Sequence, residues 1–180
     1  MIHRNVARRY AFGLFGVGQK DGNYKRYREE LESFTKLVFG NERIYKAIMY
    51  PLFDLNFRKE IVSDVARGLN LSSAVSNLLL LLLENNRIRY LSAILEEYTK
   101  IVDEKDGIVR GKLYTAFPLE DGIFTEIIDI LKEKIKKEIV LTVIEDKSLI
   151  AGIKLVLNGW VLDGTIRKQL DSMKETLLKE

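Results

Sequence analysis

Leu149-Ile150-Ala151-Gly152-Ile153-Lys154-Leu155-Val156-Leu157-Asn158-Gly159-Trp160-Val161-Leu162-Asp163-Gly164-Thr165-Ile166-Arg167-Lys168-Gln169-Leu170 reads as a strand, a tight turn, a second strand and the abrupt start of a last helix. Asn158-Gly159 is the strongest short-range turn signal in the chain, because both residues tolerate positive φ. Asp163-Gly164-Thr165 marks a helix start, where Asp or Thr accepts a bond from the unpaired amides of the first turn. Gly152 fits close packing or a bulge in its strand. Arg167 lies in the first turns of the helix, placed to pair with a neighbouring acid. The simplest reading of Asp163, Gly164 and Arg167 is therefore cap, turn and ion pair, not catalysis.

Upstream of this hairpin, Ile139 to Ile144 is β-branched and strand-like. Phe124 to Ile135 is a helix with Ile127, Ile128 and Leu131 on its inner face, and Ile108 to Phe117 is a strand. The order β-α-β-β-α predicts a small α+β layer. Before it the period changes. Helices are expected at about 2–18, 23–39, a short stretch ending before Pro51, one capped by Asn56, 72–84 and 87–102. Gly40-Asn41 is a helix stop. The connections are short, so neighbours pack antiparallel. Asp103-Glu104-Lys105-Asp106-Gly107 is charged and ends in Gly, the composition of a hinge. The predicted fold class is α+β with two domains: an N-terminal six-helix bundle, residues 1–103, and a C-terminal β-α-β-β-α domain, residues 104–180.

The chain has 180 residues, 29 basic and 26 acidic, with a formal net charge of +3. The signs are interleaved, which is a mixed soluble surface and not a nucleic-acid footprint. There is no cysteine and a single histidine, His3. Disulfides, thiol chemistry and a His-based metal or catalytic site are not expected. Asp103, Glu104 and Asp106 lack calcium-loop spacing. The glycines at 13, 16 and 18 lack the Gly-Lys-Ser/Thr of a phosphate loop. No signal peptide is apparent. The longest apolar run, Leu78 to Leu83, falls far short of the ~18–20 residues that span a bilayer. The abundance of Lys, Glu and Ile leans towards a thermophilic source.

Two helices carry more apolar surface than one buried face needs. The fifth holds six successive leucines, so it is either a central core helix or one with a second face for docking. In the first, Ala7, Ala11 and Phe15 form one face, and Val6, Tyr10, Gly13, Leu14 and Val17 the adjoining one. Gly13 costs ~1 kcal/mol against Ala in a helix interior, so something should offset it. Trp160, the only tryptophan, stands beside the hairpin turn.

Four segments together resemble the delta subunit family of the F-type ATP synthase, called the oligomycin-sensitivity-conferring protein in mitochondria. Val6-Ala7-Arg8-Arg9-Tyr10-Ala11 resembles its opening helix, with Arg9 where Pro is common. Asn77 to Arg87 resembles its apolar helix ending in Glu-Asn-x-Arg, and Thr115-Ala116-Phe117-Pro118-Leu119 its Thr-Ala-x-Pro-Leu segment. The C-terminal signature is matched by Ala151-Gly152, Asn158-Gly159 and Asp163-Gly164-Thr165-Ile166-Arg167, with Ala151 for the usual Gly and Thr165 for Ser. The resemblance implies a non-catalytic stator subunit, one copy per complex, with no cofactor, metal or nucleic acid. It implies a groove between helices one and five for the N-terminal helix of an alpha subunit, here Val6, Tyr10, Gly13, Leu14, Val17, Leu78, Leu79 and Leu82. The C-terminal domain is expected to bind the b subunits of the peripheral stalk. The protein is expected at the cytoplasmic face of the cell membrane, held through the complex without inserting. The alternative from another class is a small helical RNA-binding adaptor.

Overall fold

A computed structural model describes residues 2–50, 53–157 and 160–177. The Asn158-Gly159 turn lies outside the described residues. The chain forms two compact units, divided between Val102 and Asp103.

The first unit is helical: α1 (Ile2–Lys20), α2 (Tyr24–Gly40), α3 (Glu42–Met49), α4 (Leu55–Gly68), α5 (Ser73–Glu84) and α6 (Leu91–Asp106), with a short 3-10 turn at Ile88–Tyr90. Local chemistry sets the boundaries. Asn41 ends α2 and caps α3, accepting from the amides of Arg43 and Ile44. Ser72 caps α5, accepting from Val75 N. The cap of α4 is Asp54, not Asn56: the Asp54 carboxylate accepts from Asn56 N at 3.0 Å. All six helices contribute to one core, which includes Ala7, Leu31, Phe34, Ile48, Val62, Leu79 and Tyr98. The carboxylate of Glu30 ties α2 to the start of α5, accepting from Ser72 N at 2.8 Å and Ser72 Oγ at 2.6 Å. Gly18 sits where α1 meets α2. A Cβ there would stand 2.8 Å from the Tyr24 Cα.

The expected hinge is instead the last turn of α6. Asp103 is buried and takes a forked pair from Arg110, at 2.5 and 3.1 Å. A charge run that looks solvated in sequence thus contains a buried carboxylate paired with a half-exposed arginine, because Arg110 follows the turn closely enough to reach back.

The second unit holds β1 (Ile108–Thr115), α7 (Asp121–Ile135), β2 (Glu138–Glu145), β3 (Ile153–Leu157), β4 (Trp160–Asp163) and α8 (Ile166–Leu177). The sheet order is β2-β1-β3-β4. β1 and β2 are parallel, joined by α7, and the other pairs are antiparallel. A parallel pair needs such a crossover, whereas a two-residue turn suffices for an antiparallel one. β1 stops at Thr115, two residues short of the expected end, because the Thr115 hydroxyl donates to the Phe117 carbonyl at 2.7 Å. Val109, Leu113, Ile139, Leu155 and Leu157 form the core with Leu131, joined by Phe124, Ile127 and Ile135 of α7. Ile128, expected on the inner face of α7, is half-buried and does not pack against this cluster.

Candidate functional site

The C-terminal signature is structural. Gly152 has φ +87°, and a Cβ on it would stand 2.5 Å from the Gly164 carbonyl oxygen and 3.0 Å from the Thr165 Cα. The two halves of the signature are therefore in contact, and only Gly meets both demands. Gly164 N donates to Ile153 O and Ile166 N to Ala151 O, each at 3.0 Å. Asp163 Oδ1 accepts from Thr165 N and Thr165 Oγ1, and those bonds hold its carboxyl below the usual carboxylate range, helped by Lys154 and Lys168. The buried Thr165 is the cap of α8, its hydroxyl accepting from Lys168 N at 3.3 Å. Arg167 donates to the Ser148 carbonyl at 3.2 Å. That carbonyl takes the place of the carboxylate partner expected from the sequence.

The α1–α5 region divides the eight candidate residues. Val6 and Tyr10 are half-buried, Gly13 is exposed, and Val17 keeps 47% of its surface. These four make a continuous flank of α1. A Cβ on Gly13 would meet nothing within 4 Å, so no packing within the chain accounts for this glycine. Leu14, Leu78, Leu79 and Leu82 correct the sequence reading. All four are buried, Leu79 and Leu82 completely, and all belong to the bundle core. With 9% or less of their surface accessible, they do not line an open groove in the free chain. Val75, Leu78, Leu79, Leu82 and Leu83 point inward at helical spacing. The outward stripe is Asn77, Leu81 and Glu84, and Leu81, missed in the sequence, is 45% exposed. The signal was present: Asn77 and Glu84 mark the wet face, and Leu81 lies between them.

The Glu-Asn-x-Arg segment ends α5. Asn86 has φ +53°. Arg87 N donates to Leu82 O and Asn86 N to Leu83 O, at 2.7 and 3.0 Å. This paired pattern around a left-handed residue is a Schellman stop. It brings Arg87 to α1, where its Nη1 donates to Tyr10 Oη at 2.9 Å and its Cζ stands 5.7 Å from the Tyr10 ring centroid.

A second apolar surface lies on the C-terminal unit. Trp160 pairs with Leu157 and Leu162 with Leu155, and residues directly opposite share a face. Leu155 and Leu157 are core residues, so Trp160 and Leu162 continue the core face onto the edge strand, where they are 79% and 59% exposed. Ile166, Leu170 and Met173 form an exposed stripe on α8 at spacings of four and three. Among the described residues, no group of three or more His, Cys, Asp or Glu is placed to hold a metal ion. No described helix is long and apolar enough to cross a membrane.

These features define a two-unit adaptor: a helical bundle with an open helix flank, and an α+β unit with an uncovered edge. Residues 6–177 match the family described as ATP synthase delta (OSCP) subunit. The chain is 38% identical to the ATP synthase subunit delta of Desulfatibacillum aliphaticivorans over 177 residues, 98% of this chain and 97% of that protein. It is 35% identical to that of Geobacter metallireducens over 179 residues, 99% of each. Its fold is similar to a chain in the cryo-EM structure of the Toxoplasma gondii mitochondrial ATP synthase hexamer. The TM-score is 0.66 and the identity 22%, with 96% of this chain and 97% of the other covered. The chain belongs to the ATP synthase delta (OSCP) subunit family.

Proposed function

We propose that the protein is the non-catalytic stator subunit of an F-type ATP synthase, binding the N-terminal helix of an alpha subunit through its helical unit and the b subunits of the peripheral stalk through its C-terminal unit. It resists the torque of the rotor while the head makes ATP. The family supports the complex, and the observation that carries the alpha contact is the open flank of α1. Val6, Tyr10, Gly13 and Val17 form a shallow apolar strip beside α5, with Leu81 exposed on α5 itself. α1 has 19 residues, about 28 Å of helix, enough to seat a guest helix of five turns. Trp160, Leu162, Leu170 and Met173 are the surface we assign to the stalk. In this reading the protein reaches the cytoplasmic face of the membrane through the complex. Family membership replaces the RNA-adaptor alternative.

The test is calorimetry of the full chain with a peptide of roughly twenty residues, about 30 Å of helix, from the alpha N-terminus of the same organism. Val17→Asp and Leu81→Asp alter exposed positions, so the variants keep the fold, whereas Leu82→Asp would unfold the core. One-to-one binding lost in both variants supports the strip. Unchanged binding in both removes it.

A further inference from the structure

Several cations on the other helices of the bundle pair with an acid three or four residues away. Arg26 pairs with Glu30, Lys36 with Glu32, Lys46 with Glu42, Arg67 with Asp64 and Lys100 with Glu97. α1 is different. Residues 1–20 hold Arg4, Arg8, Arg9 and Lys20 and no Asp or Glu. Arg4 stands in the first turn of the helix, where its dipole disfavours positive charge, and Arg8 and Arg9 follow within two turns. Arg9 heads the row that Gly13 and Val17 continue at a spacing of four, so it flanks the open strip. Arg87 flanks the same end from α5. Its aim is fixed twice, by the Schellman stop at Asn86 and by the hydroxyl and ring of Tyr10. The partner it has found is neutral, and among the described residues no carboxylate pairs with Arg9 or Arg87. The strip is therefore apolar along its length and cationic at one end.

We propose that the guest of this strip is an amphipathic helix with carboxylates at the end lying over Arg87 and Arg9, so that charge sets its direction and register. This rests on the alpha-helix reading above and goes beyond it by specifying the chemistry of the guest. Arg87 keeps donors beyond the one given to Tyr10, and a guanidinium presents five in a fixed fork matched to a carboxylate. Apolar contact alone is indifferent to direction, whereas one charged end distinguishes the two orientations.

The experiment uses the full chain and the alpha N-terminal peptide, natural and with each Asp and Glu changed to Asn and Gln. Binding is measured by calorimetry from about 0.01 to 1 M salt, over which the screening length falls from ~30 to ~3 Å. Arg87→Gln and the neutralised peptide should each weaken binding about tenfold at low salt, as the loss of a charged hydrogen bond does. Combining them should cost little more than either, and the salt dependence should flatten. Arg87→Lys should keep the salt dependence, which a purely structural role for Arg87 would not predict. Equal affinity and equal salt dependence for the wild type and Arg87→Gln would overturn the proposal and leave the apolar strip standing, as would an alpha N-terminus without a carboxylate. No binding to the unaltered chain would overturn the docking reading itself.

Discussion

Replacing Gly13 by Ala should stabilise the free protein and weaken its hold on the alpha helix. The site is in the interior of α1, where Gly is ~0.8–1 kcal/mol less favourable than Ala. A Cβ at Gly13 meets nothing within 4 Å, so no clash offsets the gain. The expected rise is about 3–6 °C in Tm, followed by far-UV circular dichroism. Gly18 supplies the opposite sign. A Cβ there would stand 2.8 Å from the Tyr24 Cα, and 3.0 Å from both the Tyr24 Cβ and the Tyr27 ring. Backbone cannot swing aside, so Gly18→Ala should cost about 1–3 kcal/mol as an overpacked contact. Gly16, equally open, is the control for binding: Gly16→Ala should stabilise as Gly13→Ala does, yet leave peptide affinity unchanged because it lies off the strip. A fall in Tm for Gly13→Ala would refute the reasoning, since it would mean that this face of α1 is occupied within the chain.

Other consequences are as specific. Gly152→Ala should cost the C-terminal unit about 2–4 kcal/mol, combining an unfavourable positive φ with overpacking against the Gly164–Thr165 backbone; hydrogen exchange should show the loss in β3, β4 and α8 while the amides of α1–α5 keep their protection. Asp103→Asn removes the charge that holds Arg110 to the last turn of α6 and should lower stability by about 1–2 kcal/mol in urea unfolding, with the Arg110→Met change largely non-additive to it. The Tyr27 hydroxyl donates to the Asp21 carboxylate, and that bond with burial pushes the Tyr27 phenol up to about 12 while the same bond lowers Asp21. The tyrosine's contribution is therefore complete below its ordinary value near 10 and lost as pH rises from there through about 12; the aspartate's is complete above the usual carboxylate range and lost as pH falls through its depressed value. Tyr27→Phe should flatten both arms of the stability profile, and a Tyr27 phenol titrating near 10 in tyrosinate absorbance would contradict the contact.

The elements were legible in the sequence because their signals are local. Gly40-Asn41 stops α2, Gly164 turns, and the β-branched run at Ile139–Ile144 lies within β2. The site was harder. The leucines of α5 are alike, so their composition carries no phase, and the inward set was resolved only when tertiary packing chose it. The polar neighbours Asn77 and Glu84 held that information. Asp54 displaced Asn56 as a cap because the carboxylate stands two residues before the amide it binds, so the cap lies two residues earlier than was read. Asp103 looked solvated because its partner, Arg110, belongs to the strand beyond the turn. Gly13 was legible as a glycine that needed a reason, but the aim of Arg87 was not, since it depends on which atoms of another helix are near.

The central claim is that this chain joins the catalytic head to the stalk, and sedimentation tests it most directly. The purified head, with its alpha N-termini intact, is mixed with the soluble part of the b subunits, with and without this protein. The account predicts a single faster species containing all three only when the protein is present, and its loss with Val17→Asp. Equal association of head and stalk without the protein, or a protein that binds one and never both, would contradict it.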